Sequence, residues 1–121
     1  MDAKAYLSQA RRAERRIDAL ARRQRRYAEL GALRRGPGAE LDALQRELDG
    51  RIERYAALVR DIAGRIDRVD NPVYREVLEY RYLDGWSWQA IAARLCFSRD
   101  WVMKLHARAI EAIEAVGEVR V

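Results

Sequence analysis

Apolar residues recur three and four positions apart along almost the whole chain, and nowhere in the two-residue rhythm of a strand. The pattern predicts an all-α protein. From Asp2 to about Arg34 there is no proline and no glycine before Gly31, and Ala, Arg, Leu, Glu and Gln dominate, so one long helix is expected. Its inward positions are Ala3, Tyr6, Ala10, Ala13, Ile17, Leu20, Gln24 and Tyr27, a heptad seam with Gln24 as a polar intruder. Arg34-Arg35-Gly36-Pro37-Gly38 interrupts it, because proline lacks the N–H a helix interior needs and the flanking glycines let the chain reverse, with the turn near 35–39. From Ala39 to about Val69 a second stripe follows: Leu41, Leu44, Leu48, Ile52, Tyr55, Leu58 or Val59, Ile62, Ile66 and Val69. Its spacing, close to 3.5, predicts a helix with a partner along its length. Residues 1–69 are therefore expected to form a long antiparallel, coiled-coil-like hairpin. Glu40, Asp42, Glu47, Asp49 and Glu53 would face the late arginines of the first helix and select that orientation. Two helices alone bury little, whereas two hairpins from two chains make a four-helix bundle. A homodimer follows as the expected state, with Ile17, Leu20, Tyr27, Leu48, Tyr55 and Ile62 at its interface.

Residues 70–121 carry a different pattern. Asp70-Asn71-Pro72 is a joint at which Asn71 can cap and Pro72 fits a first helical position. The helix it opens is expected to bury Val73, Val77, Leu78 and Tyr82, and to end at Asp84-Gly85. Ser87 and Ser98 then stand where N-cap hydroxyls belong. Between and beyond them, Ile91 and Leu95 share one helix face and Val102 and Leu105 another, with small Ala92 where two helices would cross and Phe97 available to plug the turn. This spacing predicts a helix-turn-helix, its second helix running from Ser98 to about Val116 with Gly117 as a stop. An ordinary αα-hairpin that binds nothing has the same pattern. Trp86 and Trp88 are expected in the core or partly exposed beside it.

Tyr74-Arg75-Glu76-Val77-Leu78-Glu79-Tyr80-Arg81-Tyr82-Leu83-Asp84-Gly85, then Ser87, Ile91-Ala92, Leu95, Ser98, Val102 and Arg108-Ala109, resembles region 4 of bacterial sigma factors over residues 71–116. With Ala3-Lys4-Ala5-Tyr6-Leu7-Ser8-Gln9-Ala10 and the arginine-rich first helix, the chain is similar to small phage-encoded proteins of the RinA and ArpU type. One position departs from the family pattern. The turn residue that is usually glycine, because it takes a positive φ, is Cys96 here, and a Cβ is penalised there. The resemblance implies a three-helix sigma region 4-like domain and a role in late phage gene regulation. It also implies that Arg99, Asp100 and Lys104 occupy base-reading positions and Arg108 a backbone-contacting one.

The residues point the same way. If the second helix enters a major groove, its first turns meet base edges, and the outward side chains there are Arg99, Asp100, Trp101, Met103 and Lys104. Arg99 can pair with guanine O6 and N7, Asp100 can accept from a cytosine amino group, and Lys104 can reach guanine or phosphate. Trp101 can pack on sugar or a thymine methyl, or turn back into the core. Gln89, Arg94, Ser98 and Arg108 are candidates for phosphate contact.

Charge qualifies this picture. The formal net charge is +5, yet residues 1–35 hold 11 basic and 4 acidic side chains, residues 36–72 hold 6 and 8, and residues 73–121 hold 7 and 7. Non-specific affinity for nucleic acid comes largely from counterions released by Lys and Arg, so a neutral module binds weakly alone. The arginine pairs Arg11-Arg12, Arg15-Arg16, Arg22-Arg23 and Arg25-Arg26 fall off the seam of the first helix. Such a face is ordinarily solvated surface; the sharper reading is a phosphate-tracking or acidic-partner surface.

The chain holds one Cys and one His, so neither metal nor nucleophile chemistry has its partners, and no glycine-rich phosphate loop is present. A lone His on a helix is ordinarily structural or solvent-facing. No cofactor, no small-molecule substrate and no enzymatic activity are expected. No apolar run approaches the roughly 18 residues that span a bilayer, and no signal-peptide core is present, so a cytoplasmic protein without a membrane partner is expected. The expected function is sequence-specific binding of double-stranded DNA as a transcriptional regulator of phage or prophage late genes, with RNA polymerase as a further partner. The alternatives are a small-terminase-like DNA-packaging assembly protein and a protein-only adaptor of RNA polymerase.

Overall fold

A computed structural model describes residues 2–33 and 38–118. These are all-helical, with no strand among the described residues: α1 (Ala3–Leu33), α2 (Ala39–Asp67), α3 (Pro72–Leu78) continuing into a π-helical turn (Glu79–Leu83), α4 (Trp88–Leu95) and α5 (Arg99–Glu118). The expected break at Arg34-Arg35-Gly36-Pro37 lies outside the described residues.

Polar side chains start α1, α3, α4 and α5. The Asp2 carboxylate accepts from the N–H groups of Lys4 and Ala5 at 3.0 and 3.3 Å. Asn71 caps α3 by accepting from Val73 and Tyr74 at 2.9 and 3.3 Å, with Pro72 in the first turn as its sequence position predicts. Ser87 and Ser98 accept from Ala90 and Trp101, each at 3.1 Å, so both serines are N-caps. Gly117 does not stop α5, which extends to Glu118. A single glycine costs a helix only about 1 kcal/mol, and position alone does not make it a cap.

The chain divides into two compact units: residues 1–11 with 58–121, and residues 12–57. The joint at Asp70-Asn71-Pro72 lies inside the first.

In that first unit, Val77, Ile91, Ala92, Val102 and Leu105 form a buried cluster, with Val73, Tyr74, Tyr80, Trp86, Trp88 and Leu95 packed on it half-buried. Leu7, Ile62, Ile66, Val69, Leu78, Tyr82, Ala109 and Ile113 are also buried. The start of α1 runs beside the end of α2: the Tyr6 hydroxyl donates to Asp61, and the Arg65 guanidinium lies 4.7 Å from the Tyr6 ring centroid. Leu7 escapes the predicted seam but is completely enclosed. Phe97, expected to plug the turn between α4 and α5, is 38% exposed instead.

The second unit contains the remaining lengths of α1 and α2. Leu20 and Leu48 are its buried apolar residues among those described, and the Gln24 amide donates to Gln45, so the polar intruder in the seam finds an amide partner across the pair. The expected ion pairs between the acids of α2 and the arginines of α1 do not form among the described residues. Glu47 pairs with Arg51 on its own helix at 3.2 Å, and Asp49 accepts from Gln45 at 2.8 Å. An i,i+4 partner is held close by the backbone, whereas a cross-helix pair must order two long side chains.

Candidate nucleic-acid interface

Cys96 ends α4 in the left-handed region, at φ 59° and ψ 39°. Its N–H bonds back to Ala93 at 3.3 Å and that of Phe97 to Ala92 at 3.0 Å, the hydrogen-bond pair of a Schellman turn. A residue with a Cβ therefore holds the left-handed conformation at the turn position where a glycine is usual. Ser98 follows and opens α5.

Along α5 each residue advances about 100°. Val102, Leu105, His106, Ala109 and Ile113 are buried, whereas Asp100, Lys104, Ala107 and Glu111 are exposed on the opposite face. Trp101 and Arg108 share one flank, Arg99 and Met103 the other, and all four are exposed. Trp101 does not turn into the core: it is 38% exposed, and the Arg108 guanidinium lies 5.5 Å from its ring centroid. The five residues expected to meet bases thus all lie in solvent on the first two turns.

Gln89, Arg94, Ser98 and Arg108 are likewise exposed. The Ser98 oxygen is engaged as a cap acceptor, which leaves its hydroxyl proton for a further partner. The Arg94 guanidinium donates a hydrogen bond to the Tyr80 hydroxyl, which favours its charged form and raises its pKa. Tyr80 in turn stacks on Trp86, with centroids 4.3 Å apart and planes 11° from parallel. This Trp86–Tyr80–Arg94 relay was not apparent in the sequence, because it depends on the π-helical turn. That turn shifts the residues after Leu78 relative to a regular helix, and closes with Asp84 N–H on the Glu79 carbonyl at 3.0 Å.

Behind the surface sits a cluster in which Tyr82 and His106 are buried and Arg81 and Trp88 partly so. Arg81 lies 4.3 Å above the Trp88 ring, Trp88 meets the His106 ring edge-on at 4.6 Å, and His106 Nε2 shares a 2.6 Å hydrogen bond with the Tyr82 hydroxyl. Burial first, then Lys4 and Arg81, lowers the His106 pKa to about 4, and burial pushes Tyr82 up to about 12. Both groups stay neutral near pH 7. His106 therefore holds the core and is not a ligand at the surface. Burial, with Asp67 and Asp84 nearby, also raises Glu79.

The opposite end of α5 borders a cavity of about 490 Å³ lined by Arg68, Val69, Asp70, Asn71, Tyr74, Ala112, Ala115 and Val116. Among the described residues no three His, Cys, Asp or Glu side chains gather as metal ligands, and no helix is long and apolar enough to cross a membrane.

Of the residues expected at a dimer interface, Leu20, Leu48 and Ile62 are buried within the single chain and need no second copy to cover them. Ile17 and Tyr55 are half-buried and Tyr27 is exposed. Leu30 and Ile52, neither in the expected set, are the most exposed large aliphatic side chains among the described residues, at 50% and 45%.

Compared with protein-family models, curated proteins and solved structures, the chain matches none.

Proposed function

We propose that the chain is a helix-turn-helix protein that reads double-stranded DNA with the opening turns of α5. The observation that carries this reading is the division of that helix: Val102 and Leu105 fix it from within, while Arg99, Asp100, Trp101, Met103 and Lys104 face solvent together. A helix held this way can offer its N-terminal residues to base edges. Arg94 and Arg108 supply charge for flanking phosphates. Glu111 and Glu114, both exposed, would repel a phosphate backbone and so limit contact to the first part of the helix. The sigma region 4 resemblance narrows the proposal to a transcriptional regulator of phage or prophage late genes.

A weak, neutral reading head works best in pairs, and we extend the proposal to a homodimer. Among the described residues of α1 and α2, Tyr27, Leu30 and Ile52 are large apolar side chains left exposed, and a second copy would cover them.

The test is duplex selection from random sequence, followed by the paired substitution Arg99→Ala with Lys104→Ala. Loss of the preferred sequence with the helical fold intact supports base reading. Unchanged preference, or no duplex binding by the unaltered chain at low salt, removes it.

One observation favours a second reading, a protein-only adaptor of RNA polymerase. Phe97, Trp101 and Met103 are exposed within one short stretch, and exposed aromatic and Met side chains suit a protein partner. Capture of RNA polymerase that survives nuclease treatment and fails with Trp101→Ala, without any duplex binding, would select it.

A further inference from the structure

We propose that one strip of α1, carrying Arg12, Arg15, Arg16, Arg22, Arg23 and Arg26, is a second nucleic-acid surface that grips the phosphate backbone of a duplex without reading its bases. The six side chains are all exposed. At about 100° per residue they fall within a strip roughly 120° wide, and its length from Arg12 to Arg26 is about 21 Å. The strip contains one other residue, Ala19, also exposed. Glu14 and Asp18 fall outside it.

The eight arginines paired in the sequence are not one surface. Arg11 is half-buried, and its guanidinium lies where a Cβ on Gly85 would be. Arg25 is exposed but rotated off the strip.

An ordinary solvated face does not need this arrangement. On α2 the chain alternates sign, with Glu47 preceding Arg51 and Asp61 preceding Arg65 in i,i+4 pairs at 3.2 and 3.4 Å. On the α1 strip, Arg12 and Arg16, and Arg22 and Arg26, stand in like-charge i,i+4 relation, which disfavours an isolated helix. Among the described residues none of the six meets a carboxylate. A polyanion relieves that repulsion and gains the released counterions. The exclusive use of arginine fits phosphate in particular, since the planar guanidinium matches two phosphate oxygens where an ammonium offers a point charge.

This surface is independent of base reading by α5. It would supply the sequence-independent affinity that the neutral residues 73–121 lack.

The experiment measures binding of the full chain to a mixed-sequence duplex by fluorescence anisotropy across a salt series. Arg15→Gln, Arg22→Gln and Arg26→Gln are combined, since Gln keeps helix propensity. A control of equal charge change combines Arg46→Gln, Arg54→Gln and Arg60→Gln, all exposed on α2. The strip variant is expected to lose about tenfold or more in affinity at low salt, and its slope of log K against log salt should fall by about 2 to 3, from roughly 0.9 for each phosphate contact. The α2 control should keep the slope of the unaltered chain. Equal losses in both variants would mean that net charge alone acts, and would overturn the proposal. So would an unchanged slope in the strip variant, or binding of poly-glutamate in place of duplex. Arg99→Ala with Lys104→Ala separates the two surfaces, because it should reduce preference between sequences while leaving the strip's share of the slope.

Discussion

Replacing Cys96 with glycine should stabilise the protein. Cys96 holds φ 59° at the end of α4, where an L-residue with a Cβ is disfavoured by about 1–2 kcal/mol relative to glycine. Its side chain is exposed, so removing it forfeits little packing. Glycine regains freedom in the unfolded chain, which offsets about 0.4–1 kcal/mol of the benefit. The net expectation is about 0.5–1 kcal/mol in favour of Cys96→Gly, or ~3–6 °C in Tm for a unit of this size. Thermal unfolding followed by circular dichroism under reducing conditions measures it. Cys96→Ala keeps the Cβ and should be near neutral, whereas β-branched Cys96→Val should be less stable than either. A glycine variant no more stable than the alanine variant would refute the left-handed turn, and with it the geometry between α4 and α5.

His106 makes stability depend on pH. Its pKa falls from an ordinary 6.5 to about 4 in the folded chain, so between those values the unfolded state binds the extra proton and stability declines as pH falls. The loss should reach at most about 3 kcal/mol and level off below pH 4. Urea unfolding at pH 7 and 4.5 should show a difference that shrinks in His106→Gln; an equal difference in both would reject a buried neutral imidazole. Ser98→Ala and Asn71→Ala should each cost about 1 kcal/mol in thermal unfolding, because each leaves helix-start N–H groups without their acceptor. Gly85→Ala should cost more than either, since φ is +74° and the new Cβ would collide with the Arg11 guanidinium. Adding Arg11→Ala should restore only part of the loss; full restoration would show that the backbone conformation carries no strain.

The helices were legible wherever a local rule sets them. Asn71 with Pro72, Ser87 and Ser98 mark starts that the structure uses, and the spacing of Ile91, Ala92, Val102 and Leu105 marks faces that it buries. The exposed residues at the start of α5 followed from the same rotation. What could not be read depends on contacts distant in sequence or on backbone irregularity. Nothing local distinguishes Leu7 from its neighbours until α1 meets the end of α2. The π-helical turn has no composition signal of its own, so the tie between Tyr80 and Arg94 stayed hidden. The fate of Phe97 turned on a side-chain direction that spacing does not fix. The acids of α2 looked like partners for α1 because only charge was in view, whereas the fold gives Glu47 a nearer one.

The first unit joins residues 1–11 to residues 58–121, two segments far apart along the chain. During synthesis its opening helical turn would emerge long before residues 58–121 that complete the unit, and Leu7, fully enclosed in the folded unit, would wait uncovered for them. Cutting the chain at the joint before Pro72 to isolate its last helices would discard Leu7, Ile62, Ile66 and Val69 together. Such a fragment would meet water with apolar surface that the intact protein hides, and should be prone to aggregate.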